Sequence, residues 1–193
     1  MFMSEISYLR RSVVTAMLIA LCVVLPLAFH SIPRAGAIVL PMHIPVLLAG
    51  LIAGPLFGLI TGLAGPLLSH VFTGMPPSGI VQSMMIELGV YGLVAGLLIN
   101  FVRTKSASLD LYISLVVAML VGRLVAGFAQ AIFFFGGTYI DGVWVGDYSI
   151  GIWMTSFFIT SLPGIIIQLA FIPSVVMALE RERVIPLRYP VRA

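Results

Sequence analysis

Glu87 and Arg123 stand inside apolar segments, "MMIELGVYGLVAGLL" and "AMLVGRLVAGFAQAIFFF". A charge in such a setting is costly, so each must face a bundle interior, a water path or a partner. Two readings follow: an internal ion pair, or contact with a polar substrate. The planar donors of an arginine can hold both oxygens of a carboxylate. Arg123 is therefore a candidate carboxylate contact. Glu87 is a candidate for orienting Arg123 or accepting a ligand hydroxyl or N–H. Tyr91 lies one helical turn from Glu87 and shares its face. Arg123, Gly127, Gln130 and Phe134 recur at helical spacing, which places Gln130 on the face of Arg123. Gln130 suits a ligand contact or an interhelical hydrogen bond.

His43 and His70 bracket another apolar stretch, and each suits a cap or a ligand contact. His30 is a weaker candidate. Trp153, near the start of the last apolar segment, suits a ligand contact or an interfacial anchor. No Asp, Glu or Cys stands at metal-ligand spacing from the histidines, so no metal site is expected. Neither GxSxG, HExxH nor GxxxxGK[ST] occurs, so no catalytic residues are assigned, and any ATP must be hydrolysed by another chain. Cys22 is the one cysteine; it has no intrachain disulfide partner and reads as a small packing residue.

The elements that position these residues follow from the solvent. Of 193 residues, 61% are hydrophobic and 9% charged, with a mean hydropathy of +1.17. Soluble domains carry about 25% charged residues. Residues 12–33, 35–86 and 148–179 hold no Asp, Glu, Lys or Arg. Runs of that length predict a polytopic helical membrane protein, because a crossing needs about 20 apolar residues and lipid offers the backbone no partners. A β-barrel would show short alternating strands instead.

The expectation is an all-α bundle of six transmembrane helices forming one domain, 1–193. The segments fall near 10–30, 43–54, 56–72, 80–101, 110–135 and 150–180. The second is short for a crossing, which suggests tilt, a break or re-entry. Pro45 fits its first turn, whereas Pro55 and Pro66 each remove a helix bond and are expected to end or kink a helix. Eight of the ten basic residues lie before the first segment, between the fourth and fifth, or after the sixth. The positive-inside rule then puts both termini in the cytoplasm. Topology, not nucleic acid, explains the pI near 9.4. The outer loops are "SIPRAGAIVLPM", "TGMPPSG" and "GGTYIDGVWVGDYS", and the third is a candidate cap over a ligand.

Glycines crowd the middle of the chain, as in "GLITGLAG", and Ala16 and Ala20 form a small-xxx-small step in the first segment. Both features favour close helix approach.

The stretch "PMHIPVLLAGLIAGPLFGLITGLAGPLLSHVFTGMPP", the following "MMIELGVYGLVAGLL" and the early "AMLIA" carry a resemblance. The chain resembles the substrate-binding, or S, component of an energy-coupling factor (ECF) vitamin transporter over nearly its whole length. The resemblance implies a six-helix binding protein in the cell membrane of a bacterium or archaeon, with a pocket opening outward. It implies assembly with a transmembrane T component and two cytoplasmic ATPases, which use ATP and Mg while this chain holds no cofactor. Ala16 and Ala20 match the family's AxxxA coupling motif and would meet the T component. Family pockets lie between the outer halves of helices four to six, which points to Glu87, Tyr91, Arg123, Gln130 and Trp153, with His43 from the first loop. The ligand would be a water-soluble vitamin. Pantothenate fits a lone central arginine best, with folate, pyridoxine, riboflavin and cobalamin as alternatives. Two other classes compete. An ion-coupled secondary transporter should often reveal internal repeats, and none is evident. A structural membrane protein would bind no vitamin and would use Glu87 and Arg123 only for folding.

Overall fold

A computed structural model describes residues 7–28, 35–133, 138–140, 143–145 and 149–185. The chain is a helical bundle: α1 Tyr8–Ala28, α2 Ala35–Val39, α3 His43–Ala53, α4 Pro55–Thr73, α5 Ser78–Phe101, α6 Ala107–Phe133, α7 Ile150–Met154 and α8 Leu162–Arg181. Five of these (α1, α4, α5, α6 and α8) are long and apolar enough to cross a membrane. Leucine, isoleucine and phenylalanine side chains cover their outer faces, as expected where lipid is the solvent.

The expected second segment is α3, whose 11 residues rise about 16 Å, roughly half a bilayer core. It ends because Gly54 takes a φ of 112°, turning the chain while its N–H binds the Ala49 and Gly50 carbonyls. Pro55 then begins α4, where a missing N–H costs little. The expected cost therefore falls on Pro66, which lies buried inside α4.

Backbone meets backbone where α3, α4 and α5 cross. Gly50 and Gly58 both lie against the carbonyl of Gly92, and Gly62 lies against the backbone of Leu88. A Cβ on Gly96 would fall 2.5 Å from the Pro55 nitrogen. Helices associating in lipid gain from this kind of approach, since apolar burial alone offers them little. Beside the crossing, Leu47, Leu51, Leu88, Tyr91, Leu115 and Ile172 form the centre of the core. Helix α1 leans on α3 and α4, with Cys22 against Gly65.

Three departures from expectation concern connections and the last segment. A short helix, α2, occupies part of the connection between α1 and α3, and Leu40 after it takes a φ of 54° before the chain enters α3. The third loop contains an antiparallel hairpin, β1 Thr138–Ile140 with β2 Val143–Val145, in the register Thr138↔Val145. Its residues are β-branched or aromatic and flank an Asp-Gly pair, a strong hairpin signal.

The sixth segment is not one helix. Helix α7 passes into a π-helical turn, Thr155–Thr160, before α8 begins. Pro163, in the first turn of α8, has no N–H to continue the ladder. The Ser161 hydroxyl donates to the Phe157 carbonyl at 2.5 Å, giving that oxygen a partner within the irregular stretch.

Candidate functional site

Helix α5 places Glu87 and Tyr91 one turn apart, and the Tyr91 hydroxyl donates to Glu87 Oε1 at 3.0 Å. Helix α3 brings in His43, whose Nε2 stands 3.7 Å from the same oxygen. That separation is too long for a hydrogen bond but permits electrostatic attraction when the imidazole is charged. The His43 and Tyr91 rings meet edge to face, with centroids 5.3 Å apart. Tyr91 is seated against Gly122 of α6, where no larger residue would leave room for the ring. Arg123, the next residue, stands within interaction range of the Tyr91 hydroxyl. Tyr91 thus stands between Glu87 and Arg123, and among the described residues those two form no direct ion pair.

Arg123 also has an aromatic neighbour. Its guanidinium carbon lies 5.6 Å from the centroid of Phe158, in the π-helical turn. Trp153 meets Phe158 edge to face at 5.7 Å and Phe157 at 5.9 Å. A Cβ on Gly127 would fall 2.5 Å from the Trp153 ring, so that glycine is the seat of the indole. Five residues from α3, α5, α6 and α7 (His43, Glu87, Tyr91, Arg123 and Trp153) are thereby joined, directly or through Phe158.

Burial makes this chain expensive. Exposure is 2% for His43, 7% for Glu87, 0% for Tyr91 and 3% for Arg123. Both ring nitrogens of His43, Nε of Arg123 and Nε1 of Trp153 are buried without a hydrogen-bond partner. Each such group costs about 1–3 kcal/mol. These four atoms lie on one connected set of side chains.

Gln130 lies one turn beyond Gly127, half-buried, and makes no side-chain hydrogen bond among the described residues. His70 accepts a structural duty instead of joining this chain: Nδ1 lies 2.7 Å from the Pro76 carbonyl and closes the turn between α4 and α5. Ala16 and Ala20 are exposed on α1 beside Val13, Met17 and Val24, one stripe at helical spacing. His30, Phe134 and the two aspartates of the third outer loop lie outside the described residues.

Two further residues belong to the neighbourhood. Phe158 was one apolar residue among many, and nothing in its sequence context marks it. Gln168 carries a readable signal, being the lone amide in the apolar run "LPGIIIQLAFIPSVVMAL". It is fully buried on α8, with Nε2 3.5 Å from the Leu40 carbonyl and Oε1 unpartnered. The same carbonyl accepts the N–H of His43, so Gln168 braces the start of α3. Gly164 allows that approach by lying against the backbone of Ile38 and Val39.

The described residues contain no cluster of three His, Cys, Asp or Glu able to hold a metal. Residues 10–176 match the family model described as ECF transporter, substrate-specific component. No curated protein and no solved structure matches the chain. With the match covering most of its length, the chain belongs to the ECF substrate-specific component family: a multi-pass plasma-membrane protein that binds substrate and performs no chemistry on it.

Proposed function

We propose that this chain captures a water-soluble vitamin bearing a carboxylate, with pantothenate as the specific ligand, for an ATP-driven ECF importer. One observation carries the reading: Arg123 is a buried guanidinium whose Nε lacks a partner, held beside the Glu87–Tyr91 pair. The carboxylate would take the arginine donors, while Glu87 accepts from a ligand hydroxyl or amide N–H. His43, Gln130 and Trp153 complete the proposed wall, with Trp153 and the neighbouring phenylalanines facing the apolar part of the ligand. Pantothenate, a small acid with hydroxyls and an amide, matches that mixture of groups.

Six crossings and cytoplasmic termini complete the proposal, with α3 as a half-length second crossing and the α7–π–α8 unit as the sixth. The site then opens outward. ECF substrate-specific components work with a T component and ATPase subunits. Here two cytoplasmic ATPases would consume ATP and Mg, and the exposed Ala16–Ala20 stripe would receive the T component.

The test is to purify the chain alone in mild detergent, identify co-purified small molecules by mass spectrometry, and titrate a vitamin panel. Stoichiometric, displaceable pantothenate is the expected result. Another vitamin in its place would overturn the pantothenate assignment. No tight binding across the panel by verified folded protein would overturn the capture role.

A further inference from the structure

We propose that Phe158, carried over Arg123 by the π-helical turn, is a specificity-determining residue that aims the guanidinium at a ligand carboxylate and so selects acids over their neutral analogues. The inference rests on the carboxylate reading of Arg123 given above.

The geometry begins with residue spacing. In an α-helix, a side chain meets those three and four positions along. Trp153 instead meets Phe157 and Phe158, four and five positions along. The wider π-helical turn, Thr155–Thr160, makes the second of these contacts possible. It also brings the Phe158 ring to 5.6 Å from the guanidinium carbon, within cation–π range. The ring is braced in turn, because Trp153 meets it edge to face and is itself seated on Gly127.

A guanidinium donates hydrogen bonds from its edge and stacks through its face. Phe158 attracts the cation but has no acceptor atom, so it occupies no donor that a carboxylate needs. Two acceptors compete for those donors: the Tyr91 hydroxyl and, behind it, Glu87. Without the ring, Arg123 is free to swing toward Glu87 and form the direct ion pair that Tyr91 now separates. Arg123 would then be neutralised internally, and an acid would lose its advantage over a neutral ligand of the same shape. Burial strengthens the effect, since a desolvated cation is attracted more strongly by an aromatic face.

The experiment compares pantothenate with pantothenol, in which a CH2OH group replaces the carboxylate. Affinities are measured for the full-length chain and for Phe158→Ala, Phe158→Leu and Phe158→Tyr. The unsubstituted chain should prefer the acid. Phe158→Ala should reduce the acid-to-alcohol affinity ratio about tenfold, chiefly by weakening acid binding. Phe158→Leu fills most of the space without a ring and should show a similar loss. Phe158→Tyr keeps the ring and should retain the ratio within about twofold. Should Phe158→Ala fail to fold, Phe158→Leu against Phe158→Tyr decides the question. If the unsubstituted chain selects the acid and every variant keeps its ratio, the Phe158 inference falls while the Arg123 reading stands. If the unsubstituted chain shows no preference for the acid, the Arg123 reading falls and takes this inference with it.

Discussion

Arg123 is the residue whose position demands the most explanation. Burying an ion costs several kcal/mol even after the surroundings relax. Its guanidinium carbon lies over the Phe158 ring and it is in range of the Tyr91 hydroxyl, yet Nε stays without a partner. A charge used only for folding would gain most from direct contact with Glu87, and Tyr91 separates the two. Removing the side chain should therefore harm binding more than folding. Arg123→Ala is expected to weaken binding of a carboxylate ligand by about ten- to a hundredfold, the worth of a charge-assisted hydrogen bond. The check is a titration of the variant alongside its elution profile and thermal midpoint. Unchanged affinity in well-folded protein would remove Arg123 from the site. Gly122 offers a second test, because any Cβ there meets the ring of Tyr91. Gly122→Ala should displace Tyr91 and cost about 1–3 kcal/mol, the usual range for overpacking. A lowered thermal midpoint would show this, whereas an unchanged midpoint would mean that the ring has somewhere else to go.

Elements hold these side chains at common depth through glycine contacts. Gly92 of α5 faces Gly58 of α4, while Gly50 of α3 also reaches its carbonyl. One methyl group at Gly92 would push against backbone, which cannot swing aside as a flexible side chain can. Gly92→Ala should thus push α4 from α5 and loosen the crossing that α3, with His43, shares. The expected outcome is reduced thermal stability together with weaker ligand binding. Native stability and affinity would disprove the close crossing. Much of this level was legible beforehand. The apolar runs located every long helix, and the glycine spacing in "GLITGLAG" signalled close approach. The register of that approach was not legible, because which glycine meets which depends on crossing geometry. Likewise, the uncharged run 148–179 read as one helix and did not disclose the π-helical turn ahead of α8. Glu87 and Arg123 stood out as charges in apolar sequence, but the intervening role of Tyr91 needed the fold. Phe158 could not be distinguished from its lipid-facing neighbours until that turn set it above a cation.

At the scale of the whole molecule, the proposed binding site and the proposed partner surface lie on different parts of the bundle. The buried polar chain runs from α3 through α5 and α6 to the π-helical turn, while Ala16 and Ala20 lie on the exposed side of α1. Helix α1 reaches the rest of the bundle mainly through α3 and α4, with Cys22 fitted against Gly65. A large side chain on its outer stripe need not disturb that buried seam. Small residues exposed on a membrane helix permit another helix to approach closely, and a tryptophan there would hold it away. Ala16→Trp and Ala20→Trp should consequently leave vitamin affinity within about twofold while blocking assembly with the T component and ATP-driven uptake. Three measurements separate the possibilities: ligand titration of the isolated chain, co-purification with the T component and ATPases, and uptake in cells or vesicles. Lost binding would show that α1 is part of the site's support. Normal assembly and uptake in both variants would place the partner surface elsewhere. Retained binding with lost assembly would establish that capture belongs to the buried chain and energisation to the α1 stripe, two functions divided between the interior and one outer face of a small bundle.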